Sequence, residues 1–136
     1  MEGYTFSTDV VVRFAETDAQ RIAHHAGYVV CLEVARIAWL AEHAGGYGRL
    51  QHQGIEALTT SVHLEYQRPA RFDERVRIWT RCVDLRGARF RCEYVLECGG
   101  ETLATGYTDH ATVDAVTHRP TRLPAWFHEA VVRAAS

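Results

Sequence analysis

The 136-residue chain is 47% apolar and 24% charged, with a formal net charge of −2. These values are typical of a globular domain and argue against an intrinsically disordered chain. The small net charge gives no electrostatic basis for binding nucleic acid or an acidic membrane surface. All fifteen cationic residues are arginine, so no lysine is available for a Schiff base, a pyridoxal phosphate anchor or a P-loop. We expect one domain spanning residues 1–136, with no nucleic-acid partner and no membrane insertion.

The cysteines give no sign of a disulfide framework or of a zinc site. Cys31, Cys82, Cys92 and Cys98 show no C-x-x-C spacing, and the N-terminus has no basic segment followed by an apolar run and a cleavage site. We therefore interpret the cysteines as small buried side chains and predict a cytoplasmic location.

The first two predicted elements are a strand and an unusually apolar helix. Alternating apolar residues predict a strand from Thr5 to Phe14, and the segment from Ala15 to Gly27 has no sustained period and reads as a loop. From Tyr28 to Ala44, apolar side chains occupy nearly every face of a predicted helix, which Gly45 and Gly46 end. Such a helix requires other structure around it rather than a position on the surface.

The rest of the chain predicts the strands that would surround this apolar helix. After a polar connection at residues 48–54, four segments with strand-like alternation follow at residues 62–67, 76–82, 90–98 and 103–113, and a short helix begins near Ala125. A strand, a buried helix and a run of antiparallel strands together predict an α+β domain whose five-stranded sheet curls around the helix. The free edges of such a sheet favour a homodimer.

The loop and the helix together carry a recognisable motif, "RFAETDAQRIAHHAGYVVCLEVARIAWL". It resembles the hotdog-fold acyl-CoA thioesterases of the 4-hydroxybenzoyl-CoA thioesterase type, and the resemblance continues through residues 66–74, 104–114 and 119–124. The motif residues are Glu16, Thr17 and Asp18, then residues 22–25, then Tyr28, Glu33, Ala35 and Arg36. The resemblance implies a hotdog fold and a homodimer that pairs into a tetramer, with two subunits sharing each site.

The resemblance also implies roles for individual residues. Asp18 matches the family's catalytic carboxylate, which acts as a nucleophile or as a general base on water, and the backbone N–H of His25 matches the donor to the thioester carbonyl. Arg21 replaces the family's glycine, His24 replaces its usual aromatic residue, and Tyr28 matches its helix tyrosine. These three are the expected substrate-binding residues around the acyl group. We expect no metal and no cofactor beyond the coenzyme A of the substrate.

The physical chemistry of the segment agrees with these roles. A helix N-terminus presents unpaired N–H groups and about half a positive charge, which suits the oxyanion that forms when a thioester is attacked. Asp18 lies in the loop just before that helix, so the carboxylate and the N–H groups can converge on one carbonyl carbon. Without the resemblance, Asp18 would read as a residue that stabilises a turn through its own backbone.

Arginines that would suit the phosphates of coenzyme A cluster later in the chain. Eight of the fifteen arginines lie between residues 68 and 91. A planar guanidinium suits phosphate, and Arg86, Arg89 and Arg91 lie near a predicted turn, so we predict that they bind phosphate. The alternative is that these positions are only the solvent-facing side of alternating strands.

The sequence therefore predicts a hydrolase that cleaves an acyl-CoA thioester or an acyl-carrier-protein thioester. Two alternatives stay open. One is a hotdog dehydratase or hydratase, which would pair a histidine with a carboxylate. The other is a non-catalytic acyl-thioester-binding module, which the bulky Arg21 keeps open.

Overall fold

A computed structural model describes residues 2–13 and 25–135, with the backbone alone for His25 and Ala26. Five strands and three helices occupy these residues. In chain order they are β1 (Ser7–Val11), α1 (His25–His43), α2 (Tyr47–His52), β2 (Ile55–Tyr66), β3 (Arg75–Arg86), β4 (Arg89–Cys98), β5 (Glu101–Asp114) and α3 (Ala125–Ala134).

The five strands form one antiparallel sheet in the order β1-β3-β4-β5-β2. Strands β3, β4 and β5 follow one another through tight turns, and β2 lies at the edge beyond β5 although it precedes β3 in the chain. A register shift between Thr59 and Ser61 marks a bulge in β2, which bends an edge strand and increases its twist.

The core lies between the sheet and the helices because β3 and β4 bury alternate residues. The side chains of Val76, Ile78, Phe90 and Leu96 point into this layer and are almost completely buried. Helix α1 presents Leu32, Ala35, Trp39 and Leu40 to the same layer, and α3 adds Phe127 and Ala130. The α+β class and the five-stranded antiparallel sheet are as the sequence predicted.

The helix is longer at its start than its apolar pattern predicted. It begins at His25, three residues before Tyr28, and ends at His43. The first turn contains no acidic residue that would have marked the start in the sequence. Segment 48–54, expected as a polar connection, instead contains most of α2, whose Leu50 is fully buried.

Within one chain the sheet and α3 cover one face of α1 and leave the other open. Val30, Val34 and Ile37 on that open face are each more than two-fifths exposed. Val62 and Tyr66 on the edge strand β2 are exposed to a similar degree. We name these five residues the open apolar face. None of the helices that the structure describes is long and apolar enough to cross a membrane.

Candidate active site

The start of α1 places the backbone of His25 at the positive end of a nineteen-residue helix. The first four N–H groups of an α-helix lack partners within the helix, so they remain available to an acceptor at this end. The expected oxyanion donor therefore belongs to the first turn of the helix. Gly27, two residues later, is buried.

Three further predicted site residues, Asp18, Arg21 and His24, lie outside the described residues, as does Glu16. They belong to the segment that joins Arg13 to His25. The roles expected for them therefore stay predictions.

Tyr28 occupies the first turn of α1 and is almost completely buried. Its hydroxyl accepts a hydrogen bond of 2.8 Å from the backbone N–H of Ala70, and its ring packs edge-on against Tyr66 at 5.0 Å between centroids. Burial raises the pKa of the Tyr28 phenol. In this arrangement Tyr28 holds the segment after β2 against the helix start, and it borders a narrow apolar pocket with Cys31, Ala70 and Leu96.

The three arginines predicted to bind phosphate line one open cleft of about 430 Å³ at the β3–β4 turn. Arg86 and Arg89 lie directly opposite each other in the register of the two strands. Thr60, Ser61, Asp84, Asp109 and His110 form the rest of the polar wall of this cleft. We call it the arginine cleft.

The charges in the arginine cleft are not equivalent. The Arg91 guanidinium donates to both carboxylate oxygens of Asp109, at 2.7 Å and 3.2 Å, and the Ser61 hydroxyl donates to the same carboxylate at 2.8 Å. The hydrogen bond from Arg91 lowers the pKa of Asp109. Arg86 and Arg89, by contrast, form no ion pair with any residue from 2 to 13 or 25 to 135. Among the described residues, Arg86 and Arg89 therefore line this cleft without an ion-pair partner, and the Asp84 carboxylate lies in the same wall.

The arginine cleft and the helix start lie at opposite ends of β4. Phe90 borders the cleft, and Leu96, six residues further along, borders the pocket beside Tyr28. A strand rises about 3.3 Å per residue, so the two places are roughly 20 Å apart along the sheet. Only an extended ligand can reach both within one subunit.

A chain of polar side chains, of which Tyr94, Thr108 and His110 are buried, crosses the core, and sequence reasoning did not single it out. Arg36 donates to the Tyr94 hydroxyl at 3.3 Å, and the hydroxyls of Tyr94 and Thr108 are 2.7 Å apart. Thr108 is 2.7 Å from Nε2 of the buried His110, whose Nδ1 lies 3.3 Å from the Thr59 hydroxyl. The signal in the sequence is the pair Thr108 and His110 at inward positions of β5, where alternation predicts apolar residues.

The spacing of Glu33 and Arg36, one turn apart in the sequence of α1, also predicts an ion pair between them. Among the ion pairs within the described residues, none joins these two side chains. Arg36 turns instead toward the hydroxyl of Tyr94, while Glu33 is exposed. The interpretation of Glu33 and Arg36 as an ion pair is therefore wrong.

The fold and the motif agree with known proteins over nearly the whole chain. The family model of the thioesterase-like superfamily matches residues 12–131. YneP of Bacillus subtilis strain 168 is 27% identical over 131 residues, which cover 93% of this chain and 94% of YneP. The acyl-CoA thioester hydrolase YbgC of Escherichia coli O6:H1 is 32% identical over 82 residues, which cover 60% of this chain and 61% of YbgC.

A solved structure extends this agreement to three dimensions. The DHNA-CoA thioesterase of Staphylococcus aureus superposes with a TM-score of 0.86 at 27% identity, covering 93% of this chain and 88% of that chain. The shared sheet, the long helix and the family match over residues 12–131 confirm the resemblance found in the sequence. The chain belongs to the thioesterase-like superfamily and has the hotdog type of fold.

Proposed function

We propose that this protein hydrolyses an acyl-CoA thioester to a free acid and a thiol. The observation that carries the proposal is the start of α1 at His25, directly after the segment that contains Asp18. The names of YbgC and of the Staphylococcus aureus enzyme, each an acyl-CoA hydrolase or thioesterase, support the same reaction class. An acyl-carrier-protein thioester is chemically equivalent at the reacting carbon.

In the proposed reaction the carbonyl oxygen of the thioester accepts a hydrogen bond from the N–H of His25. The Asp18 carboxylate either removes a proton from an attacking water or attacks the carbonyl carbon itself, and the negative charge then develops on the oxygen next to the helix start. A donor in this position contributes about 10²–10³ in rate, and a positioned base contributes about 10²–10⁴. The thiolate leaves when the carbonyl re-forms. Attack by water gives the free acid directly, whereas attack by Asp18 gives an anhydride that a water then hydrolyses to the free acid and the carboxylate.

Coenzyme A also needs cations for its phosphates, and Arg86 and Arg89 are suitable. Both side chains line the arginine cleft and form no ion pair with a carboxylate of the described residues, whereas Asp109 already neutralises Arg91. The phosphates of an extended coenzyme A bind here in our proposal, about 20 Å from the helix start along β4. Arg91 then shapes the cleft wall rather than holding phosphate.

We further propose that the protein is a homodimer formed through the open apolar face, with two dimers pairing into a tetramer. Edge strand β2 is twelve residues long, and within the described residues it pairs with β5 on one side only. A second copy would pair its own β2 with this edge and cover Val34 and Ile37, because a long exposed edge and an uncovered apolar helix face favour association. The two subunits then share each site.

The direct test is thiol release from a panel of acyl-CoAs by the wild type and by Asp18→Asn. The amide keeps the shape of the carboxylate but is neither a base nor a nucleophile, so we expect turnover to fall by about 10²–10⁴. Glu16→Gln, the same change two residues away, is the matched control and should retain turnover. Equal turnover by wild type and Asp18→Asn would overturn the assignment of Asp18.

A thermal-shift measurement on the same panel separates catalysis from binding alone. A ligand at one hundred times its dissociation constant adds about 2.7 kcal/mol to the free energy of unfolding. Stabilisation of the wild type by an acyl-CoA that is never cleaved would favour the non-catalytic binding module over a hydrolase.

A further inference from the structure

Two cysteines face each other across neighbouring strands in the core. Cys82 of β3 and Cys92 of β4 are direct partners in the register of the antiparallel pair. Both are core residues, with 7% and 3% of their surface exposed. Opposite residues of an antiparallel pair have Cα atoms about 4.5 Å or 5.5 Å apart, and both separations lie within the range of about 4.4–6.8 Å found in disulfides.

The surroundings make the two thiols chemically unequal. Hydrogen bonding with Cys82, together with the nearby His110, lowers the pKa of the Cys92 thiol. The same hydrogen bond and burial raise the pKa of Cys82. The thiolate is the reactive form of cysteine, and in this hydrogen-bonded pair one sulfur can react as the thiolate while the other completes a disulfide.

The pair also has a route to solvent. Cys82 lines an open cavity of about 170 Å³ between the N-terminal segment, β3 and α3, where Trp39, Val131 and Ala134 form other parts of the wall. One water occupies about 30 Å³ in the liquid, so the cavity admits a molecule as small as hydrogen peroxide. Cys92 lies directly opposite Cys82 on the next strand.

We propose that Cys82 and Cys92 are an oxidisable dithiol, a site at which a hydroperoxide converts two core thiols into a disulfide between β3 and β4. One sulfur of the pair, as the thiolate, attacks one oxygen of the peroxide, the O–O bond breaks, and the departing hydroxide takes a proton to become water. The other sulfur then attacks the resulting sulfenic acid, the S–O bond breaks and a second water leaves. Two thiols and one hydrogen peroxide thus give one disulfide and two waters.

This site differs from the proposed thioesterase site in both place and chemistry. The thioester reaction uses the start of α1, whereas the dithiol lies in the middle of β3 and β4, on the side of the sheet facing Trp39. Because the cavity beside Cys82 opens to solvent, a small thiol reductant should reach the disulfide and restore both cysteines.

The test uses Cys31→Ser/Cys98→Ser, in which Cys82 and Cys92 are the only remaining thiols. After treatment of the folded protein with hydrogen peroxide, we expect the mass of the intact protein to decrease by the mass of two hydrogen atoms. We also expect non-reduced peptide mapping to show one link between the peptides that contain Cys82 and Cys92. Dithiothreitol should reverse both changes.

A pair of cavity variants tests the proposed route. Val131→Phe fills the cavity that leads to Cys82, so it should slow peroxide oxidation several-fold although both cysteines are retained. Val132→Phe adds the same ring at the next, exposed position of α3 and should keep the parent rate. Equal rates in both variants would overturn the route.

Two further outcomes would overturn the dithiol itself. In one, peroxide oxidises the wild type only at Cys31 and Cys98 and leaves Cys82 and Cys92 as thiols. In the other, the Cys31→Ser/Cys98→Ser protein adds oxygen atoms without forming a link. Because the readout is covalent structure and not turnover, the result does not depend on the proposed thioesterase reaction.

Discussion

At Gly106, β5 lies too close to the edge strand β2 to leave room for a side chain. A Cβ atom built there would lie 2.2 Å from the backbone carbonyl oxygen of His63 and 2.9 Å from the Leu64 side chain. A real Cβ cannot occupy that position, so the two strands must separate to admit any other residue. Glycine at this position is therefore required by packing between backbones and not by its backbone dihedral angles.

We predict that Gly106→Ala destabilises the protein by about 2 kcal/mol, as an over-packed site does. Gly48→Ala is the matched control, because nothing lies within 4 Å of a Cβ built there and the residue is helical. Alanine at position 48 should be neutral or raise stability by about 0.4–1 kcal/mol. Urea unfolding of the two variants measures both effects, and equal stabilities would contradict the proposed clash.

Arg86 and Arg89 define a second prediction for single residues. Alanine at either position removes a charge-assisted hydrogen bond to phosphate, so KM for acyl-CoA should rise roughly tenfold while kcat stays unchanged. KM for an acyl-pantetheine that lacks the nucleotide phosphates should not change. Arg122→Ala, an exposed arginine outside the cleft, is the control and should leave both KM values as they are.

The sequence predicted that the three arginines lie near one turn, but it did not show which of them is already paired with a carboxylate. Their closeness to a tight turn was visible in the order of residues, and the structure places all three in one cleft. The difference between them depends on Asp109, which the register of β4 and β5 places directly opposite Arg91. Strand register is set by tertiary packing, so this neutralisation was not predictable from the spacing of the arginines.

Among the elements, the strands were easier to predict than the helix boundaries. Alternation revealed β3 and β4 because each buries one face against the helix layer. The same pattern did not reveal that β2 pairs with β5 at the far edge, because alternation identifies a buried face and not a neighbour. The predicted start of α1, Tyr28, lies three residues after the actual start at His25, because the first turn has no acidic residue to mark it.

The open apolar face makes a prediction about α1 as an element. Ile37→Asp should convert the proposed dimer into a monomer, because a charge in an apolar interface loses its water without gaining a partner. Val116→Asp introduces the same charge at a highly exposed position outside that face and should leave the assembly unchanged. Light scattering coupled to size-exclusion chromatography gives the mass of each variant. A dimeric Ile37→Asp protein would place the interface elsewhere.

Across the whole molecule, several carboxylates link stability to pH. Burial would raise the pKa of Glu74, but hydrogen bonds from Arg68 and from the Arg71 backbone outweigh it, so the pKa is lowered. The pKa of Asp109 is lowered by Arg91. A carboxylate with a lowered pKa stabilises the fold fully above its unfolded pKa of about 4, and this stabilisation is lost as the pH falls through the folded value.

We therefore predict that the free energy of unfolding decreases as the pH falls from about 5 to 3. The double variant Glu74→Gln/Asp109→Asn should be less stable at neutral pH and should show a flatter decrease, because two of the titrating groups are gone. Glu129→Gln, at an exposed position on α3, should keep the wild-type slope. Chemical unfolding at a series of pH values measures these slopes, and identical slopes in all three proteins would contradict the assignment.

The position of β2 has a consequence for how the molecule is made. This strand leaves the ribosome soon after α1, yet it pairs with β5, which is synthesised last of the strands, and Ile55 finds its partner at Asp114. The nascent chain must therefore carry an unpaired edge strand and an apolar helix until β5 has been synthesised, which exposes it to aggregation between ribosome-bound copies. We expect its yield to depend on chaperones and on slow synthesis more strongly than that of a domain whose neighbouring strands pair as they emerge.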